Sequence, residues 1–150
     1  MTGAIRLWSA AFENGGPIPP RHSCEGEDLS PPLAWSGLPP GTRSLALVVE
    51  DPDAPGGTFV HWLAWGIPAG ASGLAEGERA PVEGLNGFGT PGYRGPCPPR
   101  GHGPHRYVFR LHALDTDLDL AAGAAADAVR REIARHELAA AELTGVFERS

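Results

Sequence analysis

The chain has 150 residues, enough to bury one continuous core and too few for two well-packed ones, so a single domain over residues 1–150 is expected. Its formal charge is −6, and its 12 basic residues are all arginine and form no polybasic run, so no nucleic-acid partner is expected. The 21 glycines and 16 prolines approach a low-complexity composition, but 41% hydrophobic content and four tryptophans argue for a packed core carrying many loops.

The N-terminal stretch MTGAIRLWSAAF alternates polar and apolar residues and lacks the basic start and apolar run of a signal peptide. A first strand is expected within AIRLWSAAF. No run reaches the roughly 18 apolar residues of a membrane span, so no transmembrane segment and a cytoplasmic location are expected. Cys24 and Cys97 lie far apart without CxxC spacing, and in a reducing compartment they read as two free thiols. All 16 prolines fall between Pro17 and Pro104, which confines long helices to the last third and points to a mostly β architecture. SLALVVED (44–51), TFVHWLAWGI (58–67) and HRYVFRLHAL (105–114) are rich in β-branched and aromatic residues between Gly/Pro clusters, the signature of strands. GLNGFGTPG (84–92) opens no helix and fits no phosphate loop, and it reads as a flexible loop. One helix is expected over about 125–138, where Val129, Ile133 and Leu138 recur among alanines and arginines. A final strand is expected in AELTGVFER.

Two stretches carry the chemistry. EDPDAPGGTFVHW has a turn at Pro52–Gly57, and an unbulged hairpin about that turn sets Asp51 opposite His61 and Val49 opposite Leu63. A carboxylate beside an imidazole favours its charged form and fixes which nitrogen faces outward. The plainer reading is that Asp51 and Asp53 cap the turn and His61 is a satisfied, partly buried histidine. In GYRGPCPPRGHGPHRYVFRLHAL, alternation places His105, Tyr107, Phe109 and Leu111 on one face. Pro98 and Pro99 then form a stiff collar without N–H donors in front of His105 and Tyr107, a shape suited to a small ligand. A loop that merely covers a sheet edge would look similar. Neither His102 with His105, nor Asp51, Asp53 and His61, matches a metal motif, so no metal and no cofactor are expected.

Taken together, DLSPPLAWSGLPPGTRSLALVVEDPDAP, His61-Trp62, NGFGTPGYRGPCPPRGHGPHRYVFRLHALD and ELTGVFER resemble the phosphatidylethanolamine-binding protein family, in its bacterial Raf-kinase-inhibitor-like branch, over about Arg6 to Arg149. The resemblance implies a Greek-key β-sandwich with a large central antiparallel sheet, a smaller sheet and one helix near the C-terminus. It also implies an anion pocket at one end of the sheet, formed by Asp51, His61, Pro98, Pro99, His105 and Tyr107 and supported by Asp53, Pro55, Gly95 and Arg106. The function then expected is non-enzymatic binding of a small anionic or phosphorylated ligand such as phosphoethanolamine. His61 and His105 would donate, Tyr107 would add its hydroxyl, and Asp51 would orient and charge its histidine. A kinase or protease as protein target and a homodimer are further expectations of the family. The alternative is a hydrolase using an Asp/His acid-base pair on a small ester or phosphate.

Overall fold

The structure, a computed structural model, describes residues 4–150. In chain order they form β1 (Arg6–Trp8), a 3-10 turn at Pro20–His22, β2 (Leu33–Ser36), β3 (Ser44–Asp51), β4 (Phe59–Pro68), β5 (Gly73–Leu74), β6 (Val82–Glu83), β7 (His105–Leu114), α1 (Ala126–His136) and β8 (Glu137–Phe147). All strand pairs are antiparallel, in a three-stranded sheet of order β1-β2-β5 and a five-stranded sheet of order β6-β4-β3-β7-β8.

The large sheet is covered on both faces, and β3 shows why its sequence is apolar almost throughout. Leu45, Leu47 and Val49 point toward the small sheet and pack with Leu7, Leu33, Trp35, Trp62, Phe109 and Leu111. The alternate residues Ala46 and Val48 point the other way, against Leu63, Trp65 and the α1 residues Val129 and Ile133. Period-two alternation thus fills two cores from one strand, and every position of β3 is buried.

The mostly β reading, the two sheets and the single helix near the C-terminus all hold, with two differences in extent. The first strand is short, Arg6–Trp8, because only those residues pair with β2. The last strand starts at Glu137, directly from the helix, although its alanine-rich start favours helix. Pairing of Leu114 with Glu137 and of Ala113 with Ala139 supplies ladder bonds that override that local propensity.

Candidate functional site

The ends of β3, β4 and β7 meet beneath the proline collar, and the register between them decides which side chains touch. The simple hairpin expectation fails at one residue. Val49 pairs with Trp62, but Glu50 pairs with Val60 and Asp51 with Phe59, so His61 is the extra residue of a β-bulge. Asp51 and His61 therefore do not form the expected pair. The bulge turns His61 so that Nδ1 lies 2.7 Å from the Arg94 carbonyl oxygen. A carbonyl only accepts, so Nδ1 carries the proton. Burial holds His61 below the usual histidine range, against the weaker pulls of the Arg94 carbonyl and the Asp51 charge, and so favours the neutral ring, in which Nε2 carries a lone pair. No hydrogen bond from a described residue reaches that Nε2.

Asp51 finds its imidazole on β7 instead. The β3–β7 ladder runs Val49 to Phe109 and Glu50 to Val108, which brings Asp51 to the start of β7. Its Oδ2 lies 2.7 Å from His105 Nδ1, and its Oδ1 accepts the Asp53 N–H at 2.7 Å. His105 Nε2 in turn is 2.6 Å from His102 Nδ1. Asp51, His105 and the exposed His102 form one continuous chain in which both ring nitrogens of His105 are already used.

Tyr107, two residues along β7 on the same face, is 1% exposed. Its Oη is buried and has no hydrogen-bond partner among the described residues. Burial first, and then the nearby Asp51 charge, push the phenol well above the usual tyrosine range, so the hydroxyl keeps its proton. Its ring meets His61 edge-on at 5.3 Å.

These polar groups form one end of a cavity of about 220 Å3, also lined by Ala54, Pro55, Phe59, Phe88, Cys97, Pro98 and Pro99. The loop over residues 84–92, expected as a flexible loop, is cross-linked by hydrogen bonds of its own. Asn86 donates to the Gly92 carbonyl and accepts from the Phe88 and Thr90 N–H groups, which sets Phe88 at the mouth beside Phe59 with ring centroids 4.8 Å apart. The Arg94 guanidinium covers Phe88 at 4.7 Å.

The collar is tied down more firmly than the sequence suggests. Cys24 and Cys97 are not free thiols but a disulfide, with Cα atoms 5.4 Å apart, joining the collar to the segment after the 3-10 turn. Sequence separation hid the pair, because the fold returns residue 97 to residue 24. Gly95 donates its N–H to Asp28 Oδ1 at 2.9 Å, and a Cβ there would lie 2.1 Å from the His22 carbonyl oxygen, so only glycine fits. Arg106 holds Asp53 through its side chain at 2.8 and 2.9 Å and through its backbone N–H at 2.9 Å. Those bonds lower Asp53 to about 2.

Seven of the ten residues singled out from sequence line this one cavity, and Asp53, Gly95 and Arg106 brace it from outside. Comparison with known proteins identifies the family. The sequence model described as phosphatidylethanolamine-binding protein matches residues 8–148. The chain belongs to the phosphatidylethanolamine-binding protein family. Within that family, a UPF0098 protein of Methanothermobacter thermautotrophicus is 47% identical, covering 97% of this chain and 99% of that protein. A Mycobacterium tuberculosis protein named as a lipoprotein, LppC, is 45% identical over 96% of this chain and 72% of its own length. Among solved structures, Escherichia coli YbcL superposes with a TM-score of 0.93 at 34% identity, covering 99% of this chain and 100% of that one. A phosphatidylethanolamine-binding protein homologue from Chlamydia trachomatis superposes with a TM-score of 0.92 at 40% identity, covering 98% and 99% of the two chains.

Sequence reasoning underweighted three residues of this family site. His102 was considered only as a metal ligand, whereas it ends the Asp51–His105 chain, and no cluster of three or more metal-binding side chains occurs among the described residues. Phe59 and Phe88 form the apolar mouth. The Asn-Gly pair at 86 and 87 was the available signal for a structured turn.

Proposed function

We propose that the chain is a binding protein whose cavity receives a small phosphate-type group, with phosphoethanolamine as the representative ligand, and that it binds without turnover. The observation that carries this reading is the Tyr107 hydroxyl. A buried hydroxyl without a partner costs about 1 to 3 kcal/mol, and a ligand oxygen in the cavity would relieve it. The rigid collar, closed by a disulfide and two prolines, supports pre-organised recognition.

A specific observation also favours the hydrolase reading, because Asp51 and His105 at 2.7 Å have acid-base geometry. Against it, among the described residues the cavity wall carries no serine, and its cysteine, Cys97, is held in the disulfide. The disulfide also suits an oxidising compartment, as does the relative named as a lipoprotein, whereas the free-thiol reading assumes a reducing one. No helix among the described residues is long and apolar enough to cross a membrane.

The test is thermal stabilisation by phosphoethanolamine, since a ligand that binds only the folded chain must raise its stability. Wild type is expected to be stabilised and Tyr107→Phe to be stabilised far less. Saturable release of phosphate from phosphate esters by wild type, lost in His105→Ala, would replace binding with hydrolysis.

A further inference from the structure

We propose that the group taken up keeps one of its own protons: the cavity selects the monoanion of a phosphate monoester, whose P–OH donates to His61 Nε2 while another of its oxygens accepts from the Tyr107 hydroxyl. This rests on the phosphate-type reading of the cavity and narrows it to one protonation state.

The reasoning is a census of open hydrogen-bonding atoms. His105 offers nothing, since Asp51 holds Nδ1 and His102 holds Nε2. Asp51 accepts from Asp53 N–H and from His105. What remains are two side chains that are 4% and 1% exposed, His61 and Tyr107, each lining the cavity with a polar atom that no described residue engages. They are of opposite kind. With the Arg94 carbonyl fixing the proton on Nδ1, Nε2 of the neutral His61 ring is an acceptor, and burial favours that neutral ring, so Nε2 needs a donor from the ligand. Tyr107 can donate. A fully ionised tetrahedral anion has acceptors only and would face the Nε2 lone pair and the Asp51 carboxylate together, two repulsive contacts.

The charges around this pair come from several elements, and none among the described residues supplies a free cation at the cavity end. Asp51 lies on β3, and His105 on β7 is bound on both sides. Arg94 is paired with Asp28 at 3.4 Å and covers Phe88. Arg106 is locked to Asp53. Recognition therefore depends on hydrogen-bond matching at the polar end of the cavity, with the ligand's substituent directed toward the aromatic mouth formed by Phe59 and Phe88.

The probe pair is phosphoethanolamine and sulfate, titrated calorimetrically into the full chain from pH 5 to 8. Sulfate has a similar tetrahedral shape and no proton to donate, so wild type is expected to bind it at least about tenfold more weakly, the value of one hydrogen bond. Phosphoethanolamine affinity is expected to fall roughly a hundredfold across that range, because the ester's second proton is lost near pH 6. Replacing the ester by a more basic phosphonate is expected to move the midpoint upward with the ligand. His61→Gln, whose amide can turn its N–H toward the ligand, is expected to bind the two anions alike. Equal wild-type affinity for sulfate, or a midpoint that stays fixed when the ligand's basicity changes, would overturn this inference while leaving phosphate binding in place. Absence of phosphoethanolamine binding at every pH would overturn both.

Discussion

The cavity has two polar sides, and they are built on opposite principles. On the β7 side Asp53, Asp51, His105 and His102 answer one another in an unbroken chain. On the other side, His61 Nε2 of β4 has no partner among the described residues, and Tyr107, reaching it from β7, has a buried hydroxyl that is also unanswered. The first arrangement stabilises the fold, because buried polar groups that satisfy each other cost little. The second costs stability in the empty state and is the side on which a ligand has something to gain. Side chains of the same type, two histidines in one cavity, thus have different work because a single bulge turned one toward a carbonyl.

Substitutions should separate the two sides, and the largest effect belongs to the satisfied side. Asp51→Ala strands the His105 and Asp53 N–H donors and is expected to cost about 3 kcal/mol in chemical denaturation. A loss below 1 kcal/mol would mean that the chain through His105 is not structural. Removing the Cys24–Cys97 bond by the double change to serine is expected to cost about 2 to 4 kcal/mol, from the entropy its long loop regains on unfolding, without altering Asp51 or His105. Tyr107→Phe should behave in the opposite sense. Stability is expected to stay level or rise slightly as an unpaired hydroxyl leaves the core, while phosphoethanolamine binding weakens about tenfold in calorimetry.

The smallest effect lies on the outer brace. The Arg106 hydrogen bonds hold Asp53 at about 2, below its unfolded value, so their stabilisation is present at neutral pH and is lost as pH falls from about 4 to 2. Because the pair is well exposed, that contribution is expected to be small, and Arg106→Ala should abolish the acid-limb slope it produces in pH-dependent unfolding.

Much of this was legible in the sequence for definite reasons. β-Branched and aromatic runs between Gly/Pro clusters located β3, β4 and β7 nearly to the residue, and alternation placed His105 and Tyr107 on one face. The family motifs brought Pro98, Pro99 and Asp51 to the same cavity. What escaped depended on the third dimension. A bulge leaves no compositional mark in FVHW, so Asp51 was matched with the wrong histidine. The disulfide joins segments that only the completed fold brings together, and the alanine-rich start of β8 is a strand because β7 is beside it. The internal bonding of the loop over residues 84–92 rests on one side chain, Asn86, which reaches across six residues to Gly92.

The most direct measurement is the nitrogen-15 spectrum of the histidine rings, recorded with and without phosphoethanolamine. At about pH 6.5, where an unperturbed histidine is half charged, His61 is expected as the neutral tautomer with its proton on Nδ1, and its Nε2 resonance should shift as the ligand's proton is donated to it. A His61 imidazolium at that pH, or an Nε2 resonance unmoved by saturating ligand, would contradict the assignment of the open side of the cavity as the receptor.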